Sequence, residues 1–440
     1  MLEQKYISGR TAVNIARSVE AAVANGKIEP GDQLPAVRHL AARLGVSAAT
    51  VAAAYRILQE RGVTSVAGRR SGTRIRPSTP AAPAPPPPPR GVRDLATGNP
   101  DREMLPDLRR HLRALRVRRR LYGEEFNDRE LVTVARRHFR ADRVPSGHMA
   151  VVSGALDGIE RVLREELRPG DRVIVEDPCF AGILDLLAAL SLVPIPVMVD
   201  DEGMLPNALL RALRAAARAV IVTPRAQNPT GAALTRSRAR RLRTILRQRP
   251  DVLLIEDDHA GRVAGAPYVT LVEPGRERWA VVRSVSKFFG PDLRVAIVTG
   301  DQQTIGALER RQTIGMRWVS HILQAVVASL WRDRAVQRQL ADAEKAYAAR
   351  RRALLRALEA HGIEAHGKSG LNVWIPVADE SATVQSLLQS GWAVHAGESY
   401  RIKSGPAIRV TIAALSPADA KRFAKDLAAS AVTRGRTLAA

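Results

Sequence analysis

The sequence predicts two folded parts on one chain: a small helical head that ends in a β-hairpin, and a larger α/β body with a mostly parallel sheet. Three observations carry this expectation. Apolar residues recur at three- and four-residue spacing through the first 76 residues. The stretch "RPSTPAAPAPPPPPRG" then excludes a helix interior or a central strand. Beyond it, short continuous apolar runs alternate with helical segments, the pattern of strands buried on both faces. The expected boundaries are a head over 1–76, a semi-rigid polyproline linker over 77–92 and a body over 93–435.

In the head, "AVNIARSVEAAVANG" reads as a helix that stops at Gly26. "PAVRHLAARLG" is a second helix, entered at Pro35 and closed by Gly45. "SAATVAAAYRILQERG" is a third, capped by Ser47 and closed by Gly62. "VTSVAGRRSGTRIRP" alternates like two short strands about a glycine-rich turn. Three helices and a hairpin, with a short turn between the second and third helices, outline a winged helix-turn-helix. In the body, "RVIVEDP", "AVIVTPR", "VLLIEDD" and "WAVVRSVS" read as buried strands. A long charged helix from about residue 333 precedes strand-like "LNVWIPV" and a smaller α+β portion.

Charge and composition narrow the function. The chain of 440 residues carries 68 Lys+Arg against 44 Asp+Glu, a net charge of +24, which favours polyanionic partners. The first 76 residues hold twelve Lys/Arg and five Asp/Glu. One cysteine, Cys179, allows no intramolecular disulfide and points to a reducing compartment. No apolar run approaches the ~20 residues of a membrane span, so a soluble, cytoplasmic protein without membrane contact is expected. A second basic run, "RRHLRALRVRRR", has seven arginines and no acid. It reads either as a solvated helix face or as added contacts to DNA phosphates.

"GDQLPAVRHLAARLGVSAATVAAAYRILQERG" followed by "GRRSGTRI" resembles the GntR family of bacterial transcription regulators. The resemblance implies operator DNA contacts from Arg38 and from Ser47, Ala48, Ala49 and Thr50. It also implies contacts from the wing around Gly68 to Gly72. Ala48 stands where the family often has arginine, which leaves more weight on Arg43, Arg69, Arg70 and Arg74.

In the body, weak signals occur in a telling order. "VVSGALDGIERVL" puts Gly154, Ala155 and Leu156 where a strand turns into a helix, a setting that favours a phosphate. Phe180 follows at a strand end, where a ring could stack on a flat cofactor. Asn228 precedes a proline turn, and Asp257 ends a buried strand. "SVSKFFGPDLR" supplies Ser284, Lys287 and Arg294.

That order resembles fold-type I aminotransferases. The whole chain resembles the MocR-type subfamily of GntR regulators, in which a winged helix is fused to an aminotransferase-like domain. The resemblance implies that Lys287 forms the Schiff base with pyridoxal phosphate (PLP) and that Asp257 pairs with the pyridinium nitrogen. Asn228 would bond the phenolic oxygen. Ser284, Arg294 and the amides of Gly154, Ala155 and Leu156 would hold the phosphate, with Tyr122 arriving from the second subunit of a head-to-tail homodimer. Arg409 matches an arginine that clamps a substrate carboxylate. His259 replaces a tyrosine that contacts the phenolic oxygen, Phe180 replaces another tyrosine, and Gly182 leaves no second arginine for a dicarboxylic ligand. These departures favour a PLP-responsive regulator, signalled by PLP or by its adduct with an amino-acid effector, over an active aminotransferase with a DNA-binding head. The alternative of a scaffold with a vestigial site fits the intact residue set least. The likeness is strongest to members that control pyridoxine salvage or synthesis.

Overall fold

The computed structural model describes residues 6–29, 31–60, 63–66, 73–75, 89–116 and 118–437, and the chain divides into two compact units. The wing residues Arg69, Arg70 and Gly72, like Gly62 and most of the proline stretch, lie outside the described residues.

The amino-terminal unit has the predicted helices α1 (Ala12–Ala24), α2 (Val37–Leu44) and α3 (Ala48–Glu60), then strands β1 (Thr64–Val66) and β2 (Thr73–Ile75). Each boundary has a local cause. The Thr11 hydroxyl accepts from the Asn14 amide to start α1. Gly45 ends α2 at φ 65°, a conformation that costs glycine little. The Ser47 hydroxyl accepts from the Thr50 amide, 3.1 Å, to start α3. Ile15, Val19, Leu40, Val51, Leu58 and Ile75 close a core among these elements. Residues 31–34 also pair with β2, through Leu34 to the Thr73 carbonyl and Ile75 to the Asp32 carbonyl. The sequence reading missed this addition to the hairpin, because "GDQL" has no strand-like alternation.

The larger unit opens with β3 (Arg93–Asp94), α4 (Arg109–Arg113) and α5 (Arg129–Ala141). A sheet follows from β4 (His148–Val152), β5 (Arg172–Asp177), β6 (Val193–Asp200), β7 (Gly203–Met204), β8 (Ala217–Val222), β9 (Leu253–Asp258), β10 (Trp279–Ser284) and β11 (Ala296–Gly300). Its order is β4-β11-β10-β9-β8-β5-β6-β7. β5, β8, β9 and β10 run parallel, while β11 is antiparallel to both β10 and β4. Helices α6 (Ala155–Glu166), α7 (Ala181–Ala189), α8 (Pro206–Leu213), α9 (Arg236–Leu246) and the short α10 (Ser286–Phe289) connect these strands.

Then come α11 (Gln302–Ile314), α12 (His321–Arg332) and the long α13 (Arg334–Glu359). The carboxyl-terminal portion holds β12 (Asn372–Pro376), α14 (Glu380–Gln389), β13 (Trp392–Ala393), β14 (His395–Ala396), β15 (Ala407–Thr411) and α15 (Pro417–Thr437). Among the described residues of the basic run at 109–120, only those of α4 are helical. Among the described residues no helix is long and apolar enough to cross a membrane.

Candidate functional site

The parallel strands deliver the predicted residues to one edge of the sheet, where loops leave their carboxyl ends. Gly154 follows β4 and caps α6 at φ 103°. A Cβ there would lie 2.5 Å from Arg294 Nη2, so only glycine lets that guanidinium approach the turn. Arg294 donates to the Ser153 carbonyl, 3.2 Å. It precedes the antiparallel strand β11, so it reaches this edge from a strand's amino end. Ser284 ends β10 buried, with its hydroxyl 3.1 Å from that of Ser286.

Lys287 sits on α10 and donates from Nζ to the Gly98 carbonyl, 2.7 Å. Burial, and then the charge of Arg409, push its ammonium down to about 8. Asp257 is the penultimate residue of β9, with Oδ1 buried and without a hydrogen-bond partner. Burial and then neighbouring Asp258 push its carboxyl up to about 7. Asn228 Oδ1 accepts from Asn372, 3.3 Å, and from Arg409 Nη1, 3.4 Å. The Arg409 guanidinium is buried, donates to the Ala96 carbonyl, and lies over the Tyr400 ring at 5.0 Å. Its Nε has no partner.

Phe180 packs with Trp374, Tyr400 and Ala407. Asp177 helps assemble that wall by accepting from the Ile402, Lys403 and Ser404 amides. Sequence reasoning missed Gly98, Asn372, Trp374 and Tyr400. Their contacts span up to 313 residues in sequence, and no local pattern marks them.

Two of the named residues make other contacts within the chain. His259 Nε2 donates to the Ala226 carbonyl, 2.8 Å. Burial, and then the Lys287 charge, push the ring down to about 4, so it is neutral at pH 7, with Nδ1 an acceptor. Donation from His259 Nε2 to a ring oxygen is therefore not available, and the residue instead steadies the loop ahead of Asn228. Tyr122 joins none of these contacts within its own chain. It is 79% exposed and meets the Trp318 ring edge-on at 5.6 Å.

In the head, Ser47, Ala48 and Ala49 are exposed at the start of α3, and Thr50 is partly so. Arg38 is exposed on α2. Arg43 donates to the Ile7 carbonyl, 2.8 Å, which ties its guanidinium into the head itself. Arg74 likewise donates to the Gly31 carbonyl, 3.0 Å.

Residues 11–75 match the model for bacterial regulatory proteins of the gntR family, and residues 91–427 match aminotransferase class I and II. The chain is 41% identical over 425 residues to the "Vitamin B6 salvage pathway transcriptional repressor PtsJ" of Salmonella typhimurium, covering 96% of this chain and 98% of that one. The chain belongs to the MocR-type GntR regulators. A second relative in this family is the "HTH-type pyridoxine biosynthesis transcriptional regulator PdxR" of Corynebacterium glutamicum, at 28% identity over 77% of this chain and 76% of that one. The fold of the larger unit matches the α-aminoadipate aminotransferase LysN of Thermus thermophilus, with TM-score 0.69 and 20% identity over 78% of this chain and 93% of that one. It also matches a multiple substrate aminotransferase of Thermococcus profundus, with TM-score 0.71 and 20% identity over 79% and 93%. This MocR-type regulator thus joins a DNA-binding winged helix to the fold of PLP-dependent aminotransferases.

Proposed function

We propose that the chain binds PLP in its larger unit and that this occupancy modulates operator binding by the winged helix, in the control of vitamin B6 metabolism. The observation that carries the reading is the unfilled bonding capacity of the cage. Asp257 Oδ1 is a buried acceptor with no donor, where a protonated ring nitrogen would supply one. Lys287, on α10 after the neighbouring strand β10, is an amine eased toward its neutral, nucleophilic form. Gly154 and Arg294 form a cradle suited to a phosphate.

When bound, PLP supplies an aldehyde that an amine can capture and an electron-poor ring. Lys287 would hold the aldehyde, Asp257 the ring nitrogen and Asn228 the phenolic oxygen. Phe180 would cover a ring face. Arg294, Ser284 and the amides of Gly154, Ala155 and Leu156 would hold the phosphate. Exposed Tyr122 fits a contribution to the second subunit's cage in a head-to-tail homodimer, whose two heads would read two half-sites. The relatives' printed roles in vitamin B6 salvage and pyridoxine biosynthesis support PLP as the signal.

A second reading, retained aminotransferase activity, is favoured by Arg409. Its buried Nε lacks a partner and the guanidinium suits a ligand carboxylate. The same feature would serve an amino-acid effector.

The test is operator affinity, with DNA from upstream of this gene, measured with and without PLP. PLP should change affinity for wild type and leave Lys287→Ala unresponsive, with its visible absorbance band lost and its DNA binding kept. No change with PLP in wild type would overturn the reading. Amino-acid turnover at rates on the order of 1 to 1000 per second would instead favour the enzyme.

A further inference from the structure

A cavity of about 720 Å³ lies in the larger unit, lined by five arginines: Arg143, Arg225, Arg236, Arg240 and Arg243. They come from separate parts of the chain. Arg143 follows α5, Arg225 follows β8, and the other three are on α9. Positions 236, 240 and 243 fall on one helix face, so α9 presents a row of guanidiniums to the space. The remaining wall is the 265–270 loop, with Asp142 and Glu344 as the lining acids.

The arginines fall into two groups. Arg225 is buried and gripped by Asp258, 2.9 Å, and Arg243 donates to the Thr270 carbonyl while its buried Nε has no partner. These two form a fixed back wall. Arg143, Arg236 and Arg240 make no side-chain hydrogen bond or ion pair among the described residues. Asp142 is taken up by Arg283, 2.7 Å, which leaves Glu344 as the lining carboxylate without an ion pair among the described residues. Like charges gathered in one concavity raise its affinity for anions, and a fixed guanidinium fork matches a phosphate bidentately.

We propose that this cavity binds a phosphomonoester as a second, independent anion site, on the Asp258 side of β9 and apart from the cage. The volume admits a small aromatic or sugar phosphate and is far larger than orthophosphate requires. The site does not depend on the cage being loaded. It does share the cage's framework, because Asp258, which holds Arg225, is the residue after Asp257.

The experiment is calorimetric titration of the full chain with phenyl phosphate and, separately, with inorganic phosphate, in buffer free of other phosphate and sulfate. Arg236→Ala/Arg240→Ala should weaken one phenyl phosphate binding event by about tenfold or more, the scale of losing a charge-assisted hydrogen bond. Arg294→Ala, which alters the cage cradle, should keep that event. Tighter binding of phenyl phosphate than of inorganic phosphate identifies an ester site. Equal affinity identifies a site for the free anion and overturns the ester assignment. Titrations of the double variant that superimpose on wild type overturn the site. So does a double variant whose phosphate binding is intact while the salt dependence of its DNA binding flattens, because the arginines would then be contacting the DNA backbone. Arg236 and Arg240 are exposed, so folding should survive their substitution. Arg240→Glu gives a second check by reversing one charge.

Discussion

Asp257 and Asp258 are consecutive residues at the end of β9, and strand alternation sends their side chains to opposite faces of the sheet. The Asp258 face is closed. Arg225 grips Asp258 through Nε and Nη2 at 2.9 and 3.0 Å, and Arg283 adds a third contact at 2.6 Å. Register explains the last of these, since Arg283 on β10 pairs directly with Asp258. Burial alone would raise the Asp258 carboxyl, but the two guanidiniums outweigh it and hold the group below the usual carboxylate range. The Asp257 face is open, with an unpartnered oxygen and a carboxyl pushed up to about 7. Both side chains are buried. What differs is whether the chain supplies the partners or leaves them to a ligand, and that separates a stabilising network from a binding site.

The largest effect should come from breaking the closed side. Asp258→Ala leaves Arg225 and Arg283 buried without their shared carboxylate. A loss of about 3–5 kcal/mol is expected, the cost of an uncompensated buried charge. Urea unfolding measures it, and a loss below about 1 kcal/mol would mean that the network is not what holds this face.

The open side should respond in the opposite sense. Asp257→Asn removes the charge and keeps the shape. In the cofactor-free protein the native state keeps this proton up to about pH 7, while the unfolded chain releases it near pH 4. The unfolded state then binds fewer protons, so this group lowers stability as pH rises from about 4 to about 7. Above that window Asp257→Asn should be more stable than wild type by roughly 1–3 kcal/mol, the cost of an unsatisfied buried group. Below pH 4 the two should converge. Glu176, which burial pushes up to about 8, slopes the same way and His259 the opposite way, so the difference between the two proteins reports Asp257 together with its coupling to Glu176. PLP affinity should fall by about tenfold or more, since the pyridinium loses its counter-charge. Equal stability across the pH range would sink the contrast between the two faces.

How much of this was legible in the sequence follows from the same pair. The strand run "LLIEDD" and the ordered Asn, Asp, Lys and Arg located the open face, because chemistry at strand ends leaves its residue types in place. The closed face carried no such mark. Only the β9–β10 register and the return after β8 bring Arg225 and Arg283 to Asp258. The arginine row on α9 was invisible for a related reason, since an arginine-rich chain offers many such rows and only the fold shows which one faces a cavity. His259 was located, but its bond to the Ala226 carbonyl was not, because no side-chain pattern reveals it. The helices of the head were the most legible part, since capping residues and glycine stops fix them locally.

The smallest effect tests how redundant the closed face is. Glu256 lies on the Asp258 side, two residues earlier on β9, and is also fully buried. Its carboxylate accepts from the Tyr268 hydroxyl at 2.5 Å, from the Thr270 hydroxyl at 2.9 Å and from the Leu271 amide. Tyr268→Phe removes one of these donors and keeps the ring, over which the Arg225 and Arg283 guanidiniums lie at 5.1 and 5.2 Å. With two donors left, the loss should be about 1–2 kcal/mol, and PLP affinity should be unchanged. A loss as large as that of Asp258→Ala would mean that Glu256 depends on a single bond. A change in PLP affinity would mean that the two faces of β9 are coupled, and the sheet would then transmit occupancy from one side to the other instead of insulating the cage from its support.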